Sequence, residues 1–238
     1  MIYRFDEIAS TNGYAKTLLK TRRDAVILAK RQTDGKGTKG RSFSSNEGGV
    51  YLTKLAFYED FPSKDAFLIM ARTATAVCKT LEKFGFQPSI KWPNDVFLKG
   101  RKVCGILIEN TFFKQKISAS IIGVGLNVNN LLPPELKDVA ISMQEAGGKE
   151  YPLPEVEKAL QENLEEPFAM AEYLARLGFM GEEAILIRGE EKKKVTLLSV
   201  DEKGVLYVME DGAQKEVSSG EVSLRLYSVD AKKDSGEK

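Results

Sequence analysis

The sequence predicts an α+β protein, with a β-sheet covered by helices and then a small module of short strands. Three observations predict it. Up to about Glu183, strand-type runs are mixed with a long helix pattern at residues 63 to 84 and a second helical stretch from Pro154 onward. From Ile185 the character changes to four or five short strands in about 45 residues, the mark of a small β-barrel or SH3-like module. A chain of 238 residues that is 42% hydrophobic is long enough for one sizeable core plus a smaller one.

Taken in order, residues 2 to 8 read as a short strand. Ser10-Thr11-Asn12 then offers side chains that cap a helix carrying Ala15, Leu18 and Leu19. Ala25 to Ala29 is a strand of buried type, with Val26, Ile27 and Leu28 at its centre. The next stretch contains Gln32-Thr33-Asp34-Gly35-Lys36-Gly37-Thr38-Lys39-Gly40-Arg41-Ser42-Phe43. Three glycines interleaved with Lys36, Lys39 and Arg41 make a regular element costly in entropy, and nothing between Thr33 and Phe43 is of a type that anchors in a core. Two readings fit: a loop that wraps a phosphate with backbone N–H groups and cations, or a flexible basic surface loop. Its spacing is not that of a Walker loop. Residues 49 to 58 alternate as a strand (Val50, Leu52, Leu55, Phe57), and the helix at 63–84 places Phe67, Met70, Ala74, Val77, Cys78 and Leu81 on one face before ending at Gly85.

Residues 91 to 109 follow as a hairpin: Lys91-Trp92-Pro93-Asn94-Asp95, a turn at Gly100, then Lys102 to Glu109. Lys91, Asn94, Asp95 and Lys102 can converge at one end of such a hairpin. Two ammonium groups, an amide and a carboxylate suit a carboxylate or phosphate ligand with a divalent metal; solvated hairpin charges are the other reading. Ile117 to Val124 is a further strand, running into Gly123-Val-Gly125-Leu-Asn127, where glycines let a ligand approach the backbone or mark a plain strand end. Residues 138 to 147 suggest a short helix, and 154–183 a helix broken near Pro167 or Gly178, whose Val156, Leu160, Leu164, Phe168, Leu174 and Leu177 cover the sheet. Short strands are predicted at 195–200, 204–209, 214–217 and 222–227, and the charged tail 230–238 is predicted to be disordered.

The formal net charge of +1 argues against a dedicated nucleic-acid binder. No apolar run is long enough for a membrane span, and the N-terminus lacks a signal-peptide core, so a soluble, cytoplasmic protein is expected. Cys78 falls in a helix pattern and Cys104 in a strand, which predicts two buried thiols and no structural disulfide. The chain contains no histidine. That removes Ser-His and Cys-His nucleophiles and the usual zinc sites, leaving lysine, arginine, carboxylates, backbone amides and magnesium: the toolkit of nucleotide chemistry.

The pentapeptide Lys91-Trp-Pro-Asn-Asp95, then Lys102-Val-Cys-Gly105-Ile-Leu, the glycine and cation loop 35–41, Ser10-Thr-Asn, Gly123-Val-Gly-Leu-Asn127 and Gly220-Glu-Val-Ser-Leu-Arg-Leu226 resemble biotin protein ligases in order and spacing. The resemblance covers essentially the whole chain. It implies a mixed sheet like the class II aminoacyl-tRNA synthetase core in residues 1–183, an SH3-like barrel in 184–229, and a two-step reaction. Biotin and ATP with Mg²⁺ give biotinyl-5'-AMP and pyrophosphate; the acyl group then passes to a lysine of a biotin carboxyl carrier protein. By the same resemblance Lys102 and Lys91 are catalytic. Ser10, Thr11, Asn12, Gln32, Gly35, Lys102, Gly105 and Gly123 hold biotin. Lys36, Thr38, Lys39, Arg41, Phe43, Lys91, Trp92, Asn94 and Asn127 hold the adenylate, and Asp95 holds magnesium. Loop 35–41 is expected to fold over the intermediate and shield it from water. Lipoate ligases share the adenylating core and form one alternative, a non-catalytic biotin- or carrier-binding protein another; retention of both lysines speaks against the latter. The pattern begins by Ile2, matching the short form without an N-terminal DNA-binding domain, so no specific DNA binding is expected. A homodimer is compatible with the resemblance.

The chain departs from the family in the loop. Arginine is usual there where Lys36 and Thr38 stand, and tryptophan is common at Phe43. Lysine keeps the charge without the bidentate fork and threonine loses both, so weaker retention of the intermediate is expected.

Overall fold

The computed structural model describes residues 1–219 and 223–226. Twelve strands and five α-helices are formed there. Strands β1 (Ile2–Ile8), β2 (Ala25–Gln32), β3 (Val50–Pro62), β4 (Ser89–Lys91), β5 (Asp95–Leu98), β6 (Arg101–Phe113) and β7 (Lys116–Leu126) make one mixed sheet in the order β1-β2-β3-β7-β6-β5-β4. Only β1 and β2 run parallel; every other neighbour is antiparallel.

Each face of this sheet is covered differently. On one face lie α2 (Ala66–Lys83) and α4 (Leu153–Glu165), which bury Ala74, Val77, Leu81, Val156, Leu160 and Leu164 against Leu28, Leu52, Ile106 and Val124. Phe168, Leu174 and Leu177 pack on the same cluster, so the broken helical stretch does cover the sheet. The break falls at Pro167, between α4 and α5 (Met170–Leu174). On the opposite face α1 (Thr11–Leu18) covers only one end, with Ala15 against Ala25, Ile27, Leu55 and Ile121. Among the described residues no other α-helix covers the rest of that face.

The helix predicted over 138–147 forms only as α3 (Met143–Gly147), capped by the Ser142 hydroxyl, which accepts from the Glu145 N–H. The preceding residues instead add to the sheet: Lys102 N–H donates to the Val139 carbonyl at 2.9 Å, and Ile141 N–H to the Lys102 carbonyl at 2.9 Å. β-branched Val139 and Ile141 suit that extended backbone better than a helix.

The C-terminal strands β8 (Glu183–Arg188), β9 (Glu191–Val200), β10 (Leu206–Glu210), β11 (Ala213–Val217) and β12 (Ser223–Leu226) form an antiparallel sheet in the order β11-β10-β9-β8-β12. Among the described residues the expected C-terminal β module is present as this five-stranded antiparallel sheet, with no closed barrel formed there. β8 is not among the predicted strands, because Ala184-Ile-Leu-Ile187 is an unbroken apolar run that shows neither a period of 2 nor one of 3.6. The predicted tail 230–238 and the ends of the last predicted strand lie outside the described residues. Ala184, Leu186, Val195, Leu197, Leu206 and Val208 belong to the same buried cluster as Ala74, Ile90 and Trp92. Both sheets therefore share one core. Cys78 and Cys104 are free and buried within it.

Candidate active site

The uncovered face owes its shape to the strand register. Tyr51, Gly125 and Gly105 form one row across β3, β7 and β6, and Thr53, Gly123 and Leu107 the next. A Cβ on Gly125 would lie 2.6 Å from the Phe43 ring, and one on Gly123 would lie 2.3 Å from Asn12 Oδ1. Only glycine permits those approaches, so the floor is bare backbone at Gly105, Gly123 and Gly125. Above it opens a cavity of about 700 Å³, mouth included, bounded by Ser10, Thr11, Asn12 and Gln32 at one end and by Lys36, Arg41, Phe43, Asn94 and Lys102 at the other.

At the polar end each side chain is oriented by a hydrogen bond. Ser10 caps α1, its hydroxyl accepting from the Gly13 N–H at 3.2 Å. Thr11 donates to Gln32 Oε1 through both its N–H (2.8 Å) and its hydroxyl (3.0 Å), and Gln32 Nε2 donates to the Ser45 hydroxyl at 2.9 Å. Thr53, fully buried, has its hydroxyl 2.8 Å from that of Thr11 and 2.7 Å from Asn12 Oδ1. Asn12 Nδ2 donates to Glu109 Oε2 at 3.2 Å, while Glu109 Oε1 pairs with Lys16 at 2.7 Å. Such a network leaves the Ser10 hydroxyl proton and the second Gln32 amide proton for a polar ligand.

At the other end the glycine and cation loop is more closed than its composition suggests. Lys36 and Ser42 bridge in antiparallel fashion, Gly37 N–H donates to the Arg41 carbonyl at 2.7 Å, and Phe43 N–H to the Gly35 carbonyl at 2.8 Å. The Arg41 guanidinium donates to the Thr38 carbonyl (3.2 Å) and hydroxyl (2.9 Å). Lys36 pairs with Asp34 at 2.5 Å. Burial and the nearby Arg41 hold the Lys39 ammonium below its ordinary range. Phe43 lies edge-on to Tyr51, their centroids 6.5 Å apart, and Lys102 Nζ sits 6.0 Å from the Phe43 centroid. Burial raises the Tyr51 phenol, which stays protonated and donates to the Asn46 carbonyl at 2.5 Å.

The hairpin residues divide between two cavities. Lys102 and Asn94 line the first; Lys91, Trp92, Asn94 and Asp95 line a neighbouring one that also touches Thr38, Lys39 and Arg41. Asn94 Nδ2 donates to the Ile106 carbonyl at 2.9 Å, fixing its amide. Lys91 Nζ lies 5.7 Å from the Phe97 centroid. Trp92, cis to Pro93, is almost fully buried, and its indole N–H donates to the Gly204 carbonyl of the C-terminal sheet at 3.0 Å. Asn127 is buried too; it bonds Asn130 and the Ile141 carbonyl, tying down the chain after β7 rather than bounding either cavity. Gly35 is buried behind the loop. Sequence reasoning missed Thr53, Ser45 and Glu109. A lone polar residue in the otherwise apolar inward row of β3 was the available signal for Thr53.

Magnesium finds no cage here. Among the described residues no group of three Asp, Glu or Cys side chains could hold a metal, and Asp95 is the only carboxylate lining the second cavity. Mg²⁺ keeps several waters and is commonly held by substrate phosphates plus one or two carboxylates, so the residues fit an ion that arrives as MgATP rather than a resident one.

Comparison with known proteins gives a consistent answer. The family model described as the biotin/lipoate A/B protein ligase family matches residues 5–127. The bifunctional ligase/repressor BirA of Bacillus subtilis is 29% identical over 240 residues, spanning 94% of this chain and 74% of the relative. Among solved structures, the biotin protein ligase from Aquifex aeolicus in complex with biotin and ATP superposes with a TM-score of 0.75 at 30% identity, covering 94% of this chain and 98% of that one. The biotin protein ligase of Leishmania major, 21% identical with a TM-score of 0.62, shares the fold. With its glycine floor, its polar and cationic ends and a matching family pattern across half its length, the chain belongs to the biotin/lipoate A/B protein ligase family.

Proposed function

We propose that the protein is an ATP-dependent biotin–protein ligase that forms biotinyl-5'-AMP and transfers biotin to a lysine of a biotin carboxyl carrier protein. One observation carries the reading. A single cavity joins an array of oriented hydroxyl and amide groups to a cluster of Lys36, Arg41 and Lys102, and among the described residues no carboxylate lines it. Such a cavity suits a ligand with a neutral, hydrogen-bonding ring at one end and a carboxylate at the other. Biotin has both. The dithiolane ring of lipoate would leave the buried polar end unpaired, and sites built around hydrogen bonds reject analogues lacking them by about 10⁴–10⁵.

In the first step a biotin carboxylate oxygen attacks the α-phosphorus of MgATP and pyrophosphate leaves. The anions meet beside Lys102, with Lys91 and Arg41 on the nucleotide side. Two like charges about 4 Å apart repel by roughly 1–4 kcal/mol at effective dielectrics between protein surface and water, which these cations offset. Ser10, Thr11, Asn12 and Gln32 hold the ureido ring, and the backbone of Gly105 and Gly123 forms the floor beneath it. Lys36, Thr38, Lys39, Arg41 and Phe43 belong to the cover of the adenylate, which keeps water from the mixed anhydride. In the second step the ε-amine of the acceptor lysine attacks the acyl carbon, AMP leaves and the amine loses a proton. Residues 1–183 form the catalytic unit in this reading and 184–229 the C-terminal one.

The test is ATP–pyrophosphate exchange with biotin, lipoate and octanoate in parallel, with Mg²⁺ and with EDTA. Exchange dependent on biotin and Mg²⁺ is expected. Exchange with lipoate alone would move the substrate, and none with any acid would overturn the enzymatic reading.

A further inference from the structure

Asp95 and Lys102 meet diagonally across the β5–β6 hairpin, since the register partners are Asp95 with Gly105 and Phe97 with Lys102. The Asp95 Oδ1 to Lys102 Nζ distance is 2.6 Å. The carboxylate side chain is 18% exposed and the ammonium side chain 31%, and Oδ1 is buried with no aligned hydrogen bond. Lys102 lines the first cavity and Asp95 the second, so the pair forms part of the wall between them.

From this placement we propose that Asp95 is a positioning residue for Lys102, holding its ammonium beside Gly105 at the junction of the two cavities, and not a magnesium ligand. The inference rests on the biotin-ligase reading only for what Lys102 meets. A lysine head on a four-carbon stem loses much rotamer freedom when fixed, and an ion pair partly withdrawn from water fixes it before substrate arrives. A divalent ion on the same oxygen would displace the ammonium that sits 2.6 Å from it. Asp95 thus pre-orders the cation before either substrate arrives.

Asp95→Asn keeps the size and removes the charge. In the ligand-free protein, NMR relaxation of the Lys102 Cε group should show a lower order parameter than in the parent. Biotin binding measured in EDTA without nucleotide should weaken by about tenfold, equivalent to ~1.4 kcal/mol, and tighter binding would overturn the proposal. The same substitution in a Lys102→Met background should change it no further. In pyrophosphate exchange the turnover should fall about ten- to a hundredfold while the Mg²⁺ concentration for half-maximal rate stays put. Asp95→Glu should restore part of the turnover. An unchanged Lys102 order parameter, or an Asp95→Asn defect rescued by excess Mg²⁺ or Mn²⁺, overturns the proposal. Thermal melts of each variant separate either result from misfolding. If the parent itself neither binds biotin nor exchanges, the substrate reading fails instead, and the relaxation measurement still decides the pair because it uses no ligand.

Discussion

Thr53 carries one hydroxyl proton and has two oxygens within reach, Thr11 Oγ1 and Asn12 Oδ1. Because Asn12 Nδ2 is turned to Glu109, its oxygen must accept, and Thr53 is the donor that orients it. Thr53→Val keeps the shape and deletes that donor. It should destabilise the fold by about 1–3 kcal/mol, read by urea denaturation, and raise the KM for biotin more than that for ATP. Lys102→Ala removes the cation at the point where two anions meet. Exchange should fall about 10²–10³-fold with the unfolding midpoint little changed, and retention of full activity would refute the role given to this lysine. Residue identities at the site were largely legible: Ser10, Thr11, Gln32, Lys36, Arg41 and Lys102 do bound one cavity. Thr53 and Glu109 were not, because a polar residue in a strand gains meaning only once β3, β7 and α1 are brought together. That Asp95 and Lys102 converge on the hairpin was legible; their diagonal pairing was not, since it depends on a register shift between Val96 and Phe97.

At the scale of elements, the hairpin around β5 is held from outside as much as by its own pairing. The Trp92 indole bonds the Gly204 carbonyl in the β9–β10 turn, and the Tyr173 hydroxyl donates to the Pro93 carbonyl at 3.1 Å. Trp92→Phe loses one buried hydrogen bond and leaves a carbonyl unpaired. A stability loss of about 1–3 kcal/mol is expected in denaturant titrations, together with weaker ATP binding in calorimetry as Lys91 and Asp95 lose their support. In the loop at 33–43, Thr38 anchors Arg41 where family members usually carry arginine. Thr38→Arg should lower the amount of biotinyl-adenylate released to solution, measured by non-specific labelling of a bystander protein; an unchanged or increased release would count against the loop's role as a cover. Elements were legible where the apolar period was long, as in α2. Residues 138–142 and β8 were not, because short extended segments take their structure from a neighbouring strand.

For the whole molecule, the lack of histidine moves pH sensitivity to higher values. Burial pushes the Cys78 thiol up to about 12 and raises Cys104 as well. An unfolded thiol ionises near about 8.5, so the unfolded chain loses protons first as pH rises beyond that point. Stability is then complete below that range and declines on the way to pH 12, by up to about 1.4 kcal/mol per pH unit for each thiol. Denaturant titrations between pH 7 and 11 should show the fall, and Cys78→Ala should make it shallower after its own constant loss. The change from a helix-and-sheet pattern to short strands separated by turn signals was legible from composition over about 45 residues from Ile185 onward. What composition could not reveal is how the two parts are joined. Leu186, Val195, Leu206 and Val208 sit in the same buried cluster as Ala74, Ile90 and Trp92. A protease that nicks the connecting residues would therefore release no stable half, and calorimetry would record one endotherm. The boundary in the sequence is not a boundary in cooperativity.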